Sequence, residues 1–122
     1  MELSACIVVY NGCDEALRAA QTVLQYTRRH PLTLYLVDNA SPDGSGARLE
    51  AAVRSGALST LPGQRVEVRC RKENGGFGTG HNTILPELTS DYHFILNPDI
   101  QLTADTLSDL CLLYTSDAAD EL

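Results

Sequence analysis

The chain has 122 residues, and its 16 acidic and 9 basic side chains give a formal charge of −7. A hydrophobic share of 43% and a charged share of 20% exclude the disordered class, and the length suits one domain that builds its core without a disulfide or metal staple. The acidity excludes a nonspecific nucleic-acid binder, and no apolar run reaches the ~20 residues of a membrane span.

Leu3-Ser4-Ala5-Cys6-Ile7-Val8-Val9-Tyr10 is an almost continuous apolar run ended by Asn11-Gly12, the pattern of a strand buried on both faces. Residues 14–29 set Leu17, Ala20, Val23, Leu24 and Thr27 at steps of three and four. With Asp14 and Glu15 opening the segment and Arg28 and Arg29 closing it, they predict a helix whose dipole these charges complement. Leu32 to Val37 predicts a second strand ending at Asp38. Turn formers fill Asn39 to Gly46, and a short helix from Ala47 to Arg54 stops at Ser55-Gly56. Arg65-Val66-Glu67-Val68-Arg69 alternates polar and apolar, which puts a third strand near a sheet edge. The loop Glu73 to Gly80 leads into a helical stretch that Pro86 ends or kinks. Tyr92 to Leu96 predicts a fourth strand running into Asn97-Pro98-Asp99, and a last helix starts near Thr103.

Strands alternating with helices give a parallel sheet covered on both faces, so the expected class is α/β, doubly wound. Ligands of such sheets bind beyond the carboxyl ends of the strands. Asp38, the loop from Asn74, and Asn97 with Asp99 all fall there. Cys6, Cys13, Cys70 and Cys111 show neither a Cys-x-x-Cys pair nor a His at zinc-ligand spacing, and read as reduced, buried small hydrophobes. Arg69, Arg71 and Lys72 read as a solvated loop edge. Met1-Glu2-Leu3 lacks the basic start of a signal peptide, so a soluble, cytoplasmic protein is expected.

Asn74-Gly75-Gly76-Phe77-Gly78-Thr79-Gly80-His81-Asn82 carries four of the nine glycines within six residues, freeing its backbone to approach a ligand. It is not a dinucleotide fingerprint, because His81 stands at the third glycine position, and it is not a Walker loop, because His81 stands where the lysine should be. What remains is either a generic anion-binding loop or a tight strand-to-helix turn, and the loop alone does not separate the two. Asp38 can accept hydrogen bonds from an imide or a ribose hydroxyl, or can cap its own turn through Asn39 and Ser41. Asn97-Pro98-Asp99 offers a carboxylate and an amide oxygen at the sheet rim, which suits Mg²⁺ or Mn²⁺ held mainly through substrate phosphates, and equally a plain proline turn. His81 suits a helix cap and His93 a mid-strand packing position.

Val37-Asp38-Asn39-Ala40-Ser41-Pro42-Asp43-Gly44-Ser45, then Asn74 to Asn82, then Leu96-Asn97-Pro98-Asp99, in this order and spacing, resemble the family 2 inverting glycosyltransferases, in particular their rhamnosyltransferase-like branch. The resemblance covers residues 3 to 110. It implies a GT-A fold, Rossmann-like and incomplete at its C-terminus, with residues 1–110 as the nucleotide-sugar-binding half. It further implies that Asp38 contacts the base of a nucleoside-diphosphate sugar and that Tyr10 and Asn11 line the same pocket with Asn39 and Ser41. Asn74, Gly76, Phe77, Gly80 and Asn82 would flank ribose and diphosphate, with Asn97 beside them, and Asp99 would hold a Mg²⁺ or Mn²⁺. Asn97 stands where much of the family has a first aspartate. The expected reaction moves a sugar, with dTDP-rhamnose one candidate donor, to a glycan or lipid-linked acceptor in cell-surface polysaccharide synthesis, the full-length protein working peripherally at a membrane.

Inversion needs a carboxylate base. In the family it lies beyond the Asn97-Pro98-Asp99 motif, so it is expected past residue 110, and Asp105 and Asp109 fall too early. Two rival readings stand beside this one: a non-catalytic nucleotide-binding or interaction module, and a GT-A nucleotidyltransferase. The latter needs a Gly-rich, basic loop after the first strand, which Tyr10-Asn11-Gly12-Cys13-Asp14 lacks. Residues 111–122 resemble the translated read-through of a transposase-type sequencing adapter and are expected to lie outside the fold.

Overall fold

Four parallel strands, β1 (Leu3–Val9), β2 (Leu32–Asp38), β3 (Gln64–Cys70) and β4 (Tyr92–Leu96), form one sheet in the order β3-β2-β1-β4. The computed structural model describes residues 1–113, and the end of the segment expected to be a read-through tail, 114–122, lies outside the described residues. Helices α1 (Cys13–Tyr26), α2 (Ser45–Ser55), α3 (Phe77–Asn82) and α4 (Thr106–Leu113) connect and cover the strands, with a 3₁₀ turn at Leu85–Glu87 around Pro86.

The continuous apolar runs of β1 and β2 are central and buried on both faces. Leu3, Ala5, Ile7 and Val9 of β1 and Leu32, Leu34 and Leu36 of β2 pack against Ala16, Ala20, Val23 and Leu24 of α1, Leu49 of α2 and Leu107 of α4. Each of these fully buried leucines contributes about 1.5–3 kcal/mol relative to exposure. On the opposite face Cys6, Val8, Tyr35 and Val37 meet Ile84 and the half-buried Leu88. The alternating β3 takes an edge, as its pattern predicts. At the start of the sheet, Glu2 N donates to Asp91 Oδ2 at 2.7 Å and Asp91 N to Glu2 O at 2.8 Å, latching β4 to β1.

Several boundaries differ from expectation, each for a tertiary reason. Helix α1 ends at Tyr26, with Thr27 outside the helical region at φ −96°, ψ 87°. Arg28 and Arg29 therefore lie outside it, and their amides donate to Asp105 Oδ2 at 3.0 and 3.3 Å. Helix α2 starts at Ser45 because Asp43 Oδ1 accepts both Ser45 N (2.9 Å) and Ser45 Oγ (2.6 Å). Helix α4 starts at Thr106, with Asp105 accepting Ser108 N at 3.4 Å. It runs to Leu113, and Cys111 is buried in the core. Cys70 is exposed, at the end of an edge strand, whereas Cys6, Cys13 and Cys111 are buried, and no disulfide joins any of the four.

Strand order sets the crevice. The chain runs outward from β1 to β2 to β3 and then returns to the other side of β1 for β4, so the switch in direction lies between the carboxyl ends of β1 and β4.

Candidate functional site

Tyr10 and Asn11 leave β1 at this edge. Asn11 adopts φ 54° and Ala40, just past β2, φ 60°; these are the described non-glycine residues in the left-handed region. Each such conformation costs of order 1–3 kcal/mol and persists where its surroundings hold it. Here the hold is visible: Asn11 N donates to Ser41 Oγ at 2.9 Å, and Asn11 Oδ1 accepts Asp43 N at 3.3 Å.

Asp38 ends β2 and is 4% exposed. Its Oδ1 accepts Ser41 Oγ at 2.6 Å and its Oδ2 accepts Ser41 N at 3.2 Å. Ser41 thus links the ends of β1 and β2 in one chain of hydrogen bonds, and the Asp38 carboxylate does cap its own turn. A carboxylate has further lone pairs beyond the two that these bonds use. Asp43, by contrast, is held below the usual carboxylate range by its hydrogen bonds with Ser45.

Asn39 is buried, and its N donates to Val9 O at 2.9 Å. Its Oδ1 accepts Arg71 Nη1 at 2.7 Å, while its Nδ2 donates to Asn74 Oδ1 at 2.8 Å and Gly76 O at 3.1 Å. Arg71 N in turn donates to Asp38 O at 2.8 Å. Arg71, expected on a solvated loop edge, is instead bound to Asn39. It follows Cys70, whose register partner on β2 is Asp38, and only this pairing brings Arg71 beside Asn39.

The Gly-rich loop passes directly into α3. Gly76 takes φ 89°, and its N donates to Asn74 Oδ1 at 2.9 Å. Phe77 is 58% exposed, and Asn82 is also exposed. Gly80 is buried, and a Cβ there would meet Val8 Cγ1 at 2.8 Å, so this glycine lets α3 lie close on β1. His81 sits in the last turn of α3 and does not cap its start, where Gly76 stands.

Asn97-Pro98-Asp99 follows β4 directly, with Ile100 N donating to Asn97 O at 3.2 Å to close the turn. Leu96 pairs with Ile7, so this turn leaves the sheet on the β4 side of the switch, across it from the Tyr10-Asn11 exit of β1. Both Asn97 and Asp99 are exposed. Among the described residues no group of three His, Cys, Asp or Glu side chains could hold a metal by itself. Asp105 and Asp109 both face Arg29, Asp105 at 3.2 Å, and so point away from the crevice chemistry. An open groove of about 590 Å³, lined by Ser4, Thr33, Tyr35, Arg65 and Ser90, lies at the amino-terminal end of the strands, opposite these residues.

The profile of glycosyl transferase family 2 matches residues 4–120. The chain belongs to glycosyl transferase family 2. Its fold is GT-A. Over 94% of its length it superposes on the crystal structure of S. aureus TarS 1-349, with a TM-score of 0.72 and 18% identity. Over 94% it also superposes on the mannosyltransferase PcManGT from Pyrobaculum calidifontis, in complex with GDP-Man and Mn²⁺, with a TM-score of 0.68 and 23% identity. It spans 32% of the length of each of these chains. No curated protein is significantly similar in sequence. Among the described residues no helix is long and apolar enough to cross a membrane.

Proposed function

We propose that residues 1–110 form the nucleotide-sugar-binding half of an inverting, metal-dependent glycosyltransferase, which moves a sugar from a nucleoside diphosphate to a glycan or lipid-linked acceptor. The observation that carries this reading is the convergence of Asp38, Asn11 and the Gly-rich loop at the carboxyl ends of adjacent parallel strands, tied together through Ser41 and Asn39. Asp38 offers a fixed, negatively charged acceptor for the imide of a base, and Tyr10, Asn11 and Ser41 border it. Asn74, Gly76, Phe77 and Asn82 flank ribose and diphosphate, and Gly80 keeps α3 close enough for them to do so. A dTDP-sugar such as dTDP-rhamnose is the candidate donor, and cell-surface polysaccharide the candidate product.

The donor set at the rim fits a divalent cation. One exposed carboxylate, Asp99, and one amide, Asn97, suit a Mg²⁺ or Mn²⁺ that takes most of its ligands from diphosphate and water. When bound, such an ion would neutralise charge on the departing nucleoside diphosphate. The similar mannosyltransferase was solved with GDP-Man and Mn²⁺, which supports both parts of this assignment. The proton of the acceptor hydroxyl needs a carboxylate base, placed here beyond residue 110, since Asp105 and Asp109 are engaged with Arg29. The same engagement favours a second reading for this chain taken alone, nucleotide binding without transfer.

Calorimetric titration with UDP, dTDP and GDP, each with and without Mn²⁺, tests the proposal. One nucleotide should bind more tightly with metal, Asp99→Ala should erase that difference, and Asp38→Ala should erase the preference among bases. Equal binding with and without Mn²⁺ removes the metal assignment, and no binding of any of the three removes the donor reading.

A further inference from the structure

We propose that Asn39 is a positioning residue that holds the Gly-rich loop in its binding conformation without touching the donor. This inference rests on the donor reading above only for its effect on affinity. At 2% exposure Asn39 has almost no surface to present to a ligand. Its amide is nonetheless fully employed as a donor, with both N–H groups directed to the loop, at Asn74 Oδ1 and Gly76 O. Its oxygen accepts Arg71 Nη1, on the chain leaving β3, and its backbone N reaches Val9 O at the end of β1. One residue, through its amide side chain and its backbone N, therefore connects the ends of three strands to the loop.

The loop has little else to order it. Gly75, Gly76 and Gly78 bring no side chains, and Phe77 is 58% exposed. Glycine loses more backbone freedom on ordering than any other residue, so a loop of this composition is ordered by its hydrogen bonds. Asn74 Oδ1 accepts at once from Asn39 Nδ2 and Gly76 N, which makes the Asn39 bond the outer support of the bend at Gly76. If the support goes, the cost of ordering the loop falls on the ligand when it binds.

The substitution Asn39→Asp separates the two ends of the amide. Its carboxylate still accepts from Arg71, but it sets an acceptor oxygen against Asn74 Oδ1 and Gly76 O. Hydrogen exchange on the whole chain without nucleotide is the deciding measurement. Amides of residues 75–79 should exchange faster in Asn39→Asp and in Asn39→Ser than in the parent at the same pH, with β1 and β2 unchanged, and on acidification Asn39→Asp alone should return toward the parent's protection as the protonated carboxyl regains a donor. Affinity for UDP with Mn²⁺ should fall about tenfold in both variants, as the ordering cost is transferred to binding. Unchanged loop exchange with lost affinity would make Asn39 a direct ligand and overturn the proposal. Faster exchange throughout the sheet would make it a general fold residue and overturn it too. Because the exchange arm needs no nucleotide, it stands or falls separately from the donor reading.

Discussion

A Cβ on Gly46 would lie 2.6 Å from Asp38 Oδ2 and 3.1 Å from Cys70 Sγ. Asp38 cannot swing clear without breaking its bonds to Ser41. Gly46→Ala should therefore displace the carboxylate and lower stability by about 1–3 kcal/mol, the usual range for overpacking. Nucleotide affinity should fall with it. Thermal melts paired with calorimetric titration check both, and a melt and affinity equal to the parent would show that the carboxylate is free to move.

Gly80 and Val8 give a second close approach. Because a Cβ on Gly80 would sit 2.8 Å from Val8 Cγ1 and 3.1 Å from Cγ2, Gly80→Ala should lever α3 off β1 and destabilise by about 1–3 kcal/mol. Val8→Ala in the same chain makes room and should recover part of the loss. Urea unfolding of the four-member cycle measures this, and energies additive to within about 0.5 kcal/mol would mean that the two residues do not meet.

His93 shares a 2.7 Å hydrogen bond with Ser4 Oγ through Nδ1, but its Nε2 and His81 Nδ1 are buried without partners. Burial pushes both imidazoles below their ordinary value of 6.5, and the nearby His81 pushes His93 further down. Below pH 6.5 the unfolded chain binds protons that the folded chain refuses, so stability is full above that value and falls as pH drops through the window beneath it. Urea midpoints should decline between about pH 7 and about pH 5, and His93→Asn should flatten the decline. An equal slope in that variant would assign the proton uptake elsewhere.

Asp105 and Asp109 both meet Arg29, yet they should behave differently. The Asp105 side chain is 16% exposed, that of Asp109 66%. Burial pushes Asp105 up, but hydrogen bonds from Ser108, the Arg28 amide and Arg29 outweigh it, leaving the group below its ordinary 3.8. Its contribution is thus present above pH 3.8 and lost as pH falls through the lowered value. Asp105→Ala removes the acceptor at the start of α4 and should cost about 1–2 kcal/mol. Asp109→Ala should cost less than about 1 kcal/mol, as exposed ion pairs do. Chemical unfolding of the two variants distinguishes them, and equal losses would contradict the ranking.

β1 and β2 were legible as apolar runs between turn formers, and alternation alone put β3 at an edge. The helix ends were not, since Tyr26 and Thr106 are boundaries drawn by Asp105, which lies 77 residues from Arg28 in sequence. At the site, Asp38, the glycine loop and Asp99 stand out as strings of residues. The pairing of Asp38 with Cys70 leaves no mark in the string, so neither the place of Arg71 nor the burial of the Asn39 amide could be seen. Gly46 and Gly80 likewise look like ordinary turn and helix glycines until their neighbours are known.

The latch between Glu2 and Asp91 joins residues 89 apart, whereas β1 meets β2 and β2 meets β3 across single crossovers. Loop-closure entropy must be met before distant pairings bring any return, which makes such pairings late events in folding. The three-stranded part bearing Asp38 and Asn39 is therefore expected to assemble first, with β4 and its Asp99 rim arriving afterwards. The two walls of the crevice are thus expected to have different ages within each folding event, the wall that bears Asp38 standing before the wall that bears Asp99.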